Sequence, residues 1–163
     1  MMQPVWAWIK SSWVSHTVVG VPWIWPACET LHFIGMALLL GVIGVIDLRM
    51  LGFMKRLPFA PLHKLLPWGI AGFIINLITG TLFFAGDPYQ YIDNIAFLFK
   101  LLFIVLAGIN VLIFYLVPFH QVENMGPGDD APLTAKVIAG VSIFLWVGVM
   151  YWGRMLPFIG NAF

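Results

Sequence analysis

The chain divides into four apolar runs, at roughly 27–49, 65–85, 95–118 and 137–158, each near the twenty residues or so that a helix needs to cross about 30 Å of hydrocarbon. In runs of this kind only a helix satisfies its own backbone. Turn and breaker residues part them: Pro58 and Pro61, then Gly86-Asp87-Pro88, then the Gly-, Pro- and Asp-rich stretch from Met125 to Pro132. The connections are short, so consecutive helices are expected to be antiparallel neighbours. A chain of 163 residues leaves no room for a second unit, and the expected fold is all-α, one integral membrane four-helix bundle over residues 1–163. Composition agrees, with 61% hydrophobic and 9% charged residues and a mean hydropathy of +0.96, whereas soluble domains carry about 25% charged residues.

The same composition narrows the function classes. A net charge of +1 with no Lys/Arg-rich tract gives no footprint for nucleic acid. Cys28 is the only cysteine, so an internal disulfide, a zinc ribbon and the CxxCH of covalent c-type haem are all excluded. No HExxH, phosphate loop or nucleophile–base motif occurs, and an enzymatic role would need a redox cofactor. The N-terminal residues lack the pattern of a removable signal, so the first span is expected to direct insertion. Ahead of it, Trp6, Ile9, Trp13 and Thr17 recur at helical spacing among further tryptophans, which predicts an amphipathic interfacial helix over about 3–17. Arg49, Lys55, Arg56 and Lys64 lie in the first loop and no Lys or Arg in the second, which predicts a multi-pass membrane protein whose first loop is cytoplasmic and whose termini both face outward.

Ionisable residues inside apolar runs are costly, so they mark candidate sites. Counted from the outward-facing ends, Glu29, His32, Lys100 and Arg154 reach similar depths, and a paired polar cluster is expected there. Glu29 as a helix-start residue and Lys100 as a snorkelling one are the simpler alternatives. The four histidines divide into His16 and His32 toward one face and His63 and His120 toward the other, with Tyr115, Asp47 and Arg49 near the latter pair. Imidazoles from facing helices could supply the axial ligands of haem b. Otherwise His63, His120 and His16 are interfacial decoration. Cys28, His32 and Met36 share one helix face at four-residue spacing, a soft set that suits copper, with Met150 and Met155 as further thioethers. Packing explains methionines in apolar helices equally well. Small residues at four-residue multiples, Ala37/Gly41, Gly72/Gly80 about Asn76, and Gly140/Gly148, predict the internal faces.

Glu29-Thr-Leu-His-Phe-Ile-Gly35, Asp47-Leu-Arg-Met-Leu-Gly52, Leu66-Pro-Trp-Gly-Ile-Ala-Gly-Phe73, the segment from Tyr91 to Lys100, and Ala107-Gly-Ile-Asn110 together resemble an uncharacterised family of small four-span bacterial inner-membrane proteins. The likeness covers roughly residues 22–118. That family is distantly similar to the copper-resistance D and cytochrome b561-like membrane proteins, which implies a redox or metal context. Glu29, His32, Asp47, Arg49, Asn94, Lys100 and Asn110 match its pattern, whereas Tyr115 stands where the family often has a histidine. The leading expectation is a membrane protein of redox traffic, holding haem b or acting as the membrane subunit of an electron-transfer complex, with membrane or periplasmic redox proteins as partners. The alternatives are a non-catalytic anchor or assembly subunit, and copper handling.

Overall fold

The computed structural model describes residues 3–159, so the outermost residues of the expected 1–163 domain lie outside it. The described chain is 79% helix and contains no strand. Four helices are long and apolar enough to cross a membrane: α3 (Ile24–Leu51), α5 (Leu66–Gly86, continuing the apolar run that begins with α4, Phe59–His63), α7 (Ile95–Leu116) and α9 (Leu133–Met155). The short helices α6 (Pro88–Ile92) and α8 (Phe119–Val122) lie in the second and third connections.

Local chemistry sets these boundaries. Gly52 closes α3 in the left-handed region, at φ 95°, where a side chain would be strained. The Asn94 side chain accepts the Ala96 N–H and so caps the start of α7. The fourth long helix begins four residues before the expected 137, because Pro132 holds an extended backbone (φ −61°, ψ 155°) immediately ahead of Leu133. Lys136, expected in the loop, therefore lies within the first turns of α9 and pairs with Asp130.

The N-terminal segment also departs from expectation. In place of one helix over 3–17 there are two, α1 (Gln3–Lys10) and α2 (Trp13–Gly20), broken at Ser11-Ser12. The Ser12 hydroxyl accepts the Ser15 N–H and starts the second helix. Both are tied to the end of α5: Lys10 Nζ donates to the Gly86 carbonyl (2.8 Å) and pairs with Asp87 (3.2 Å), and Ser15 donates to the same carbonyl (3.2 Å). These contacts satisfy a helix C-terminal oxygen that would otherwise be bare. Trp8, Trp13 and Trp23 stay exposed around this end.

Packing follows two hairpins, α3 on α5 and α7 on α9, joined along α3 and α9, while α5 and α7 are not closely packed. Backbones approach most closely where α3 crosses α5. A Cβ on Gly35 would lie 2.8 Å from the Gly72 carbonyl oxygen, and one on Gly72 would lie 2.8 Å from the Leu39 nitrogen. The small-residue expectation thus holds for Gly72, whose partner is Gly35. It fails for Gly41 and Gly140, which meet nothing within 4 Å, while Gly148 receives the Phe103 ring.

At the end away from the termini, Ile46, Met50, Phe59, Leu62, Phe114, Val122, Met125, Ala131, Ala135 and Ala139 form the buried core. Two connections are stitched across it, Phe59 N–H to the Met125 carbonyl (3.0 Å) and Gly128 N–H to the Lys55 carbonyl (2.8 Å). Arg49, counted from sequence as a loop cation, is fully buried here. Its guanidinium donates to the Leu57 carbonyl (2.5 Å) and the Gly126 carbonyl (3.0 Å). Asp130 takes both Lys55 (3.1 Å) and Lys136 (2.7 Å), and these two cations, with burial acting weakly against them, hold its carboxyl below the usual range.

Candidate functional site

His32 faces α5 from α3. Its Nδ1 lies 2.7 Å from Thr79 Oγ1, and that hydroxyl in turn reaches the Ile75 carbonyl at 2.8 Å. A threonine hydroxyl has one proton. Given to Ile75, it leaves Oγ1 to accept from Nδ1–H and a lone pair on Nε2; given to Nδ1, it puts the ring proton on Nε2. The ring leans on Phe83 (5.7 Å between centroids), which packs on Trp25 (5.0 Å), and its Cε1 is 3.8 Å from where a Cβ of Gly80 would be. Among the described residues Nε2 has no partner. Asn76, one turn before Thr79, donates to its own helix at Gly72 and leaves a buried Oδ1 unpartnered.

Lys100 lies on α7, and its stem crosses Gly153 of α9, with Nζ 3.6 Å from that glycine's Cβ position. No described residue accepts from it. The ion pair expected between Glu29 and Lys100 is absent: Glu29 is exposed and accepts from the Trp25 indole at 3.1 Å. Glu29 still acts at short range, since burial first, then Asp87 and Glu29, push the Tyr91 hydroxyl up to about 12. Arg154 is not in the cluster at all. It is exposed and lies over the Phe158 ring at 5.5 Å.

A second polar group sits at the other end. Asp47 is 4% exposed on α3, beside Ser142 of α9, with Oδ2 unpartnered. Arg49 does not neutralise it, being engaged with the loop carbonyls, and its own Nη1 is also unpartnered. Asn94 and Asn110 explain themselves as brackets between α7 and α9, donating to the Leu156 and Ile138 carbonyls at 2.9 and 3.1 Å.

The histidines do not converge. His63 Nε2 is hydrogen-bonded to Tyr115 (2.9 Å) and its ring lies among Phe59, Tyr115 and Phe119. His120 is exposed with Glu123 at 3.4 Å, and His16 is exposed on α2. Haem b between two imidazoles needs two free, facing ring nitrogens. His32 Nε2 and His63 Nδ1 are both without a partner among the described residues, but they lie toward opposite ends of the bundle and do not face each other, so the arrangement does not fit that cofactor. Of the soft set, Cys28 is buried, Met36 half-buried and Met150 exposed, and the described residues contain no group of three His, Cys, Asp or Glu able to hold a metal.

Thr79 escaped the sequence reading, although a hydroxyl at three- and seven-residue spacing from Asn76 and Gly72 in an apolar run was a usable signal. Compared with known protein families, curated proteins and solved structures, the chain matches none.

Proposed function

We propose that the chain is a multi-pass protein of the bacterial inner membrane, both termini periplasmic, serving redox traffic as the membrane subunit of an electron-transfer complex. One observation carries the reading: His32 Nε2 on α3 and Lys100 Nζ on α7 have no hydrogen-bond partner among the described residues, in helices long and apolar enough to cross a membrane. A pure anchor has no use for two such groups, each of which costs free energy in hydrocarbon. The orientation rests on the cations between residues 52 and 64.

Isolation of a tagged chain from native membranes tests the reading. A co-isolated protein carrying flavin, haem or an iron–sulfur cluster is the expected result, and recovery alone or with non-redox partners would replace it with the anchor reading. The cysteine substitution Lys55→Cys, labelled from outside intact cells, would reverse the orientation. A Soret band from the isolated chain would return the histidines to haem ligation.

A further inference from the structure

We infer that the turn from Gly52 to Leu57, between α3 and α4, holds the phosphate of an anionic phospholipid headgroup. The inference rests on the multi-pass reading alone, and neither the redox assignment nor the orientation enters it.

The turn is a fixed structure. Gly52, at φ 95°, leads the chain out of α3, and the Phe53 N–H closes back on the Leu48 carbonyl (3.1 Å). The Leu57 N–H closes a tight turn on the Met54 carbonyl (3.0 Å), while the buried Arg49 holds the Leu57 carbonyl and the Gly128 N–H holds that of Lys55 (2.8 Å). The residues from Gly52 to Leu57 line a hollow of about 390 Å³. On that lining the consecutive N–H groups of Met54, Lys55 and Arg56 find no acceptor among the described residues. Successive unbonded N–H groups on a turn make an anion-binding concavity.

The charges agree with the backbone. The loop carboxylates of this end are engaged elsewhere, Asp130 by Lys55 and Lys136, Asp129 by the Gly126 N–H (2.8 Å) and Glu123 by His120 (3.4 Å). Lys55 folds over Gly52, with Nζ 3.8 Å from that glycine's Cβ position, and serves Asp130. Arg56 remains, exposed on the rim of the hollow and without a carboxylate among the described residues. Its planar fork can take two phosphate oxygens at once. Phe53 then decides between a lipid and a soluble phosphate: it is 79% exposed on the same turn, which joins two helical runs long enough to cross a membrane. A soluble anion gains nothing from that ring, whereas a lipid brings its own apolar surface to cover it.

The test titrates the full chain, in nonionic detergent, with phosphatidylglycerol and with phosphatidylcholine, and counts bound lipid by native mass spectrometry. One phosphatidylglycerol per chain should saturate, severalfold tighter than phosphatidylcholine, whose choline offsets the phosphate charge. Arg56→Gln should weaken it about fivefold, the equivalent of the roughly 1 kcal/mol that one cation contributes at an anionic surface. Its side chain is exposed, so helicity should be unchanged. Lys64→Gln removes another exposed cation of the same connection, outside the hollow, and should weaken binding less. Equal losses in the two variants would mean a diffuse attraction to the cations and overturn the site. Phe53→Ser should weaken phosphatidylglycerol as well. Displacement of the lipid by an equal concentration of inorganic phosphate, with Phe53→Ser indifferent, would give the hollow to a soluble anion and overturn the lipid assignment. Phosphatidylglycerol held no tighter than phosphatidylcholine overturns the inference entirely.

Discussion

Arg49 Nη2 donates to the carbonyl oxygen of Gly126, 77 residues further along the chain, at 3.0 Å, while its Nε donates to Leu57. One buried guanidinium thus fastens the first and third connections to the end of α3. Arg49→Met removes both charge-assisted bonds, each worth roughly 1.5–3 kcal/mol, and strands two carbonyls. We expect a loss of about 3 kcal/mol or more in detergent unfolding, and little recovery in Arg49→Lys, whose ammonium lacks the fork. Equal stability of Arg49→Met and the parent would mean that water serves these carbonyls as well.

The crossing of α3 and α5 leaves no space for a methyl group. Gly72→Ala would drive a Cβ against the Gly35 carbonyl and the Leu39 backbone, and should cost about 1–3 kcal/mol through forced separation of the helices. Gly41→Ala, with nothing within 4 Å, is the matched control and should be neutral or slightly stabilising. Thermal scans of the two variants side by side decide it.

Glu29 accepts from the Trp25 indole and makes no contact with Lys100. The cycle of Glu29→Gln, Lys100→Met and the double variant should accordingly be additive to within about 0.5 kcal/mol, as for sites without a direct contact. A larger coupling would show that the two charges meet.

His63 and Tyr115 bridge α4 and α7 through one hydrogen bond. Tyr115→Phe keeps the ring against Phe114 and Phe119 and removes only that bond, for an expected loss of about 0.5–1.5 kcal/mol. Its size is read from the shift in the unfolding midpoint.

The Asp130 carboxyl is held below its ordinary value by Lys136 and Lys55, so its folded form releases the proton more readily than the unfolded chain does. Its contribution is therefore present above the unfolded value near 4 and is lost as pH falls through the lowered folded one. Being open to solvent, the triad should yield to salt as well as to acid. Asp130→Asn should flatten the stability profile below about pH 4, and an unchanged acid limb would assign that limb to another carboxylate.

The existence and number of the long helices could be read from the sequence because Pro58, Gly86-Asp87-Pro88 and the 125–132 stretch interrupt otherwise unbroken apolar runs. Which faces meet could not. A soluble helix marks its buried side by polarity, whereas α3 from Phe33 to Ile46 is apolar all round, so neither periodicity nor size distinguishes Gly35, which packs, from Gly41, which does not. Depth was readable for the same reason that direction was not. Counting from the ends puts His32 and Lys100 at a similar level, but only the rotation of each helix sends Glu29 to Trp25, Arg154 to Phe158 and His63 to Tyr115. Loop contacts are beyond such counting altogether, and Arg49, assigned to the loop by charge, is drawn inside by carbonyls that no local pattern announces.

The clasp of Lys10 and Ser15 on Gly86 sets a timetable for biosynthesis. A ribosome releases the first two helices long before it makes their anchor, since the residues that hold them lie 76 and 71 positions downstream. During that interval α1 and α2 have no partner on α5. Their final seat exists only once the end of α5 has been translated and carried to the same end of the bundle, so this segment, made well before its anchor, is fixed only after it.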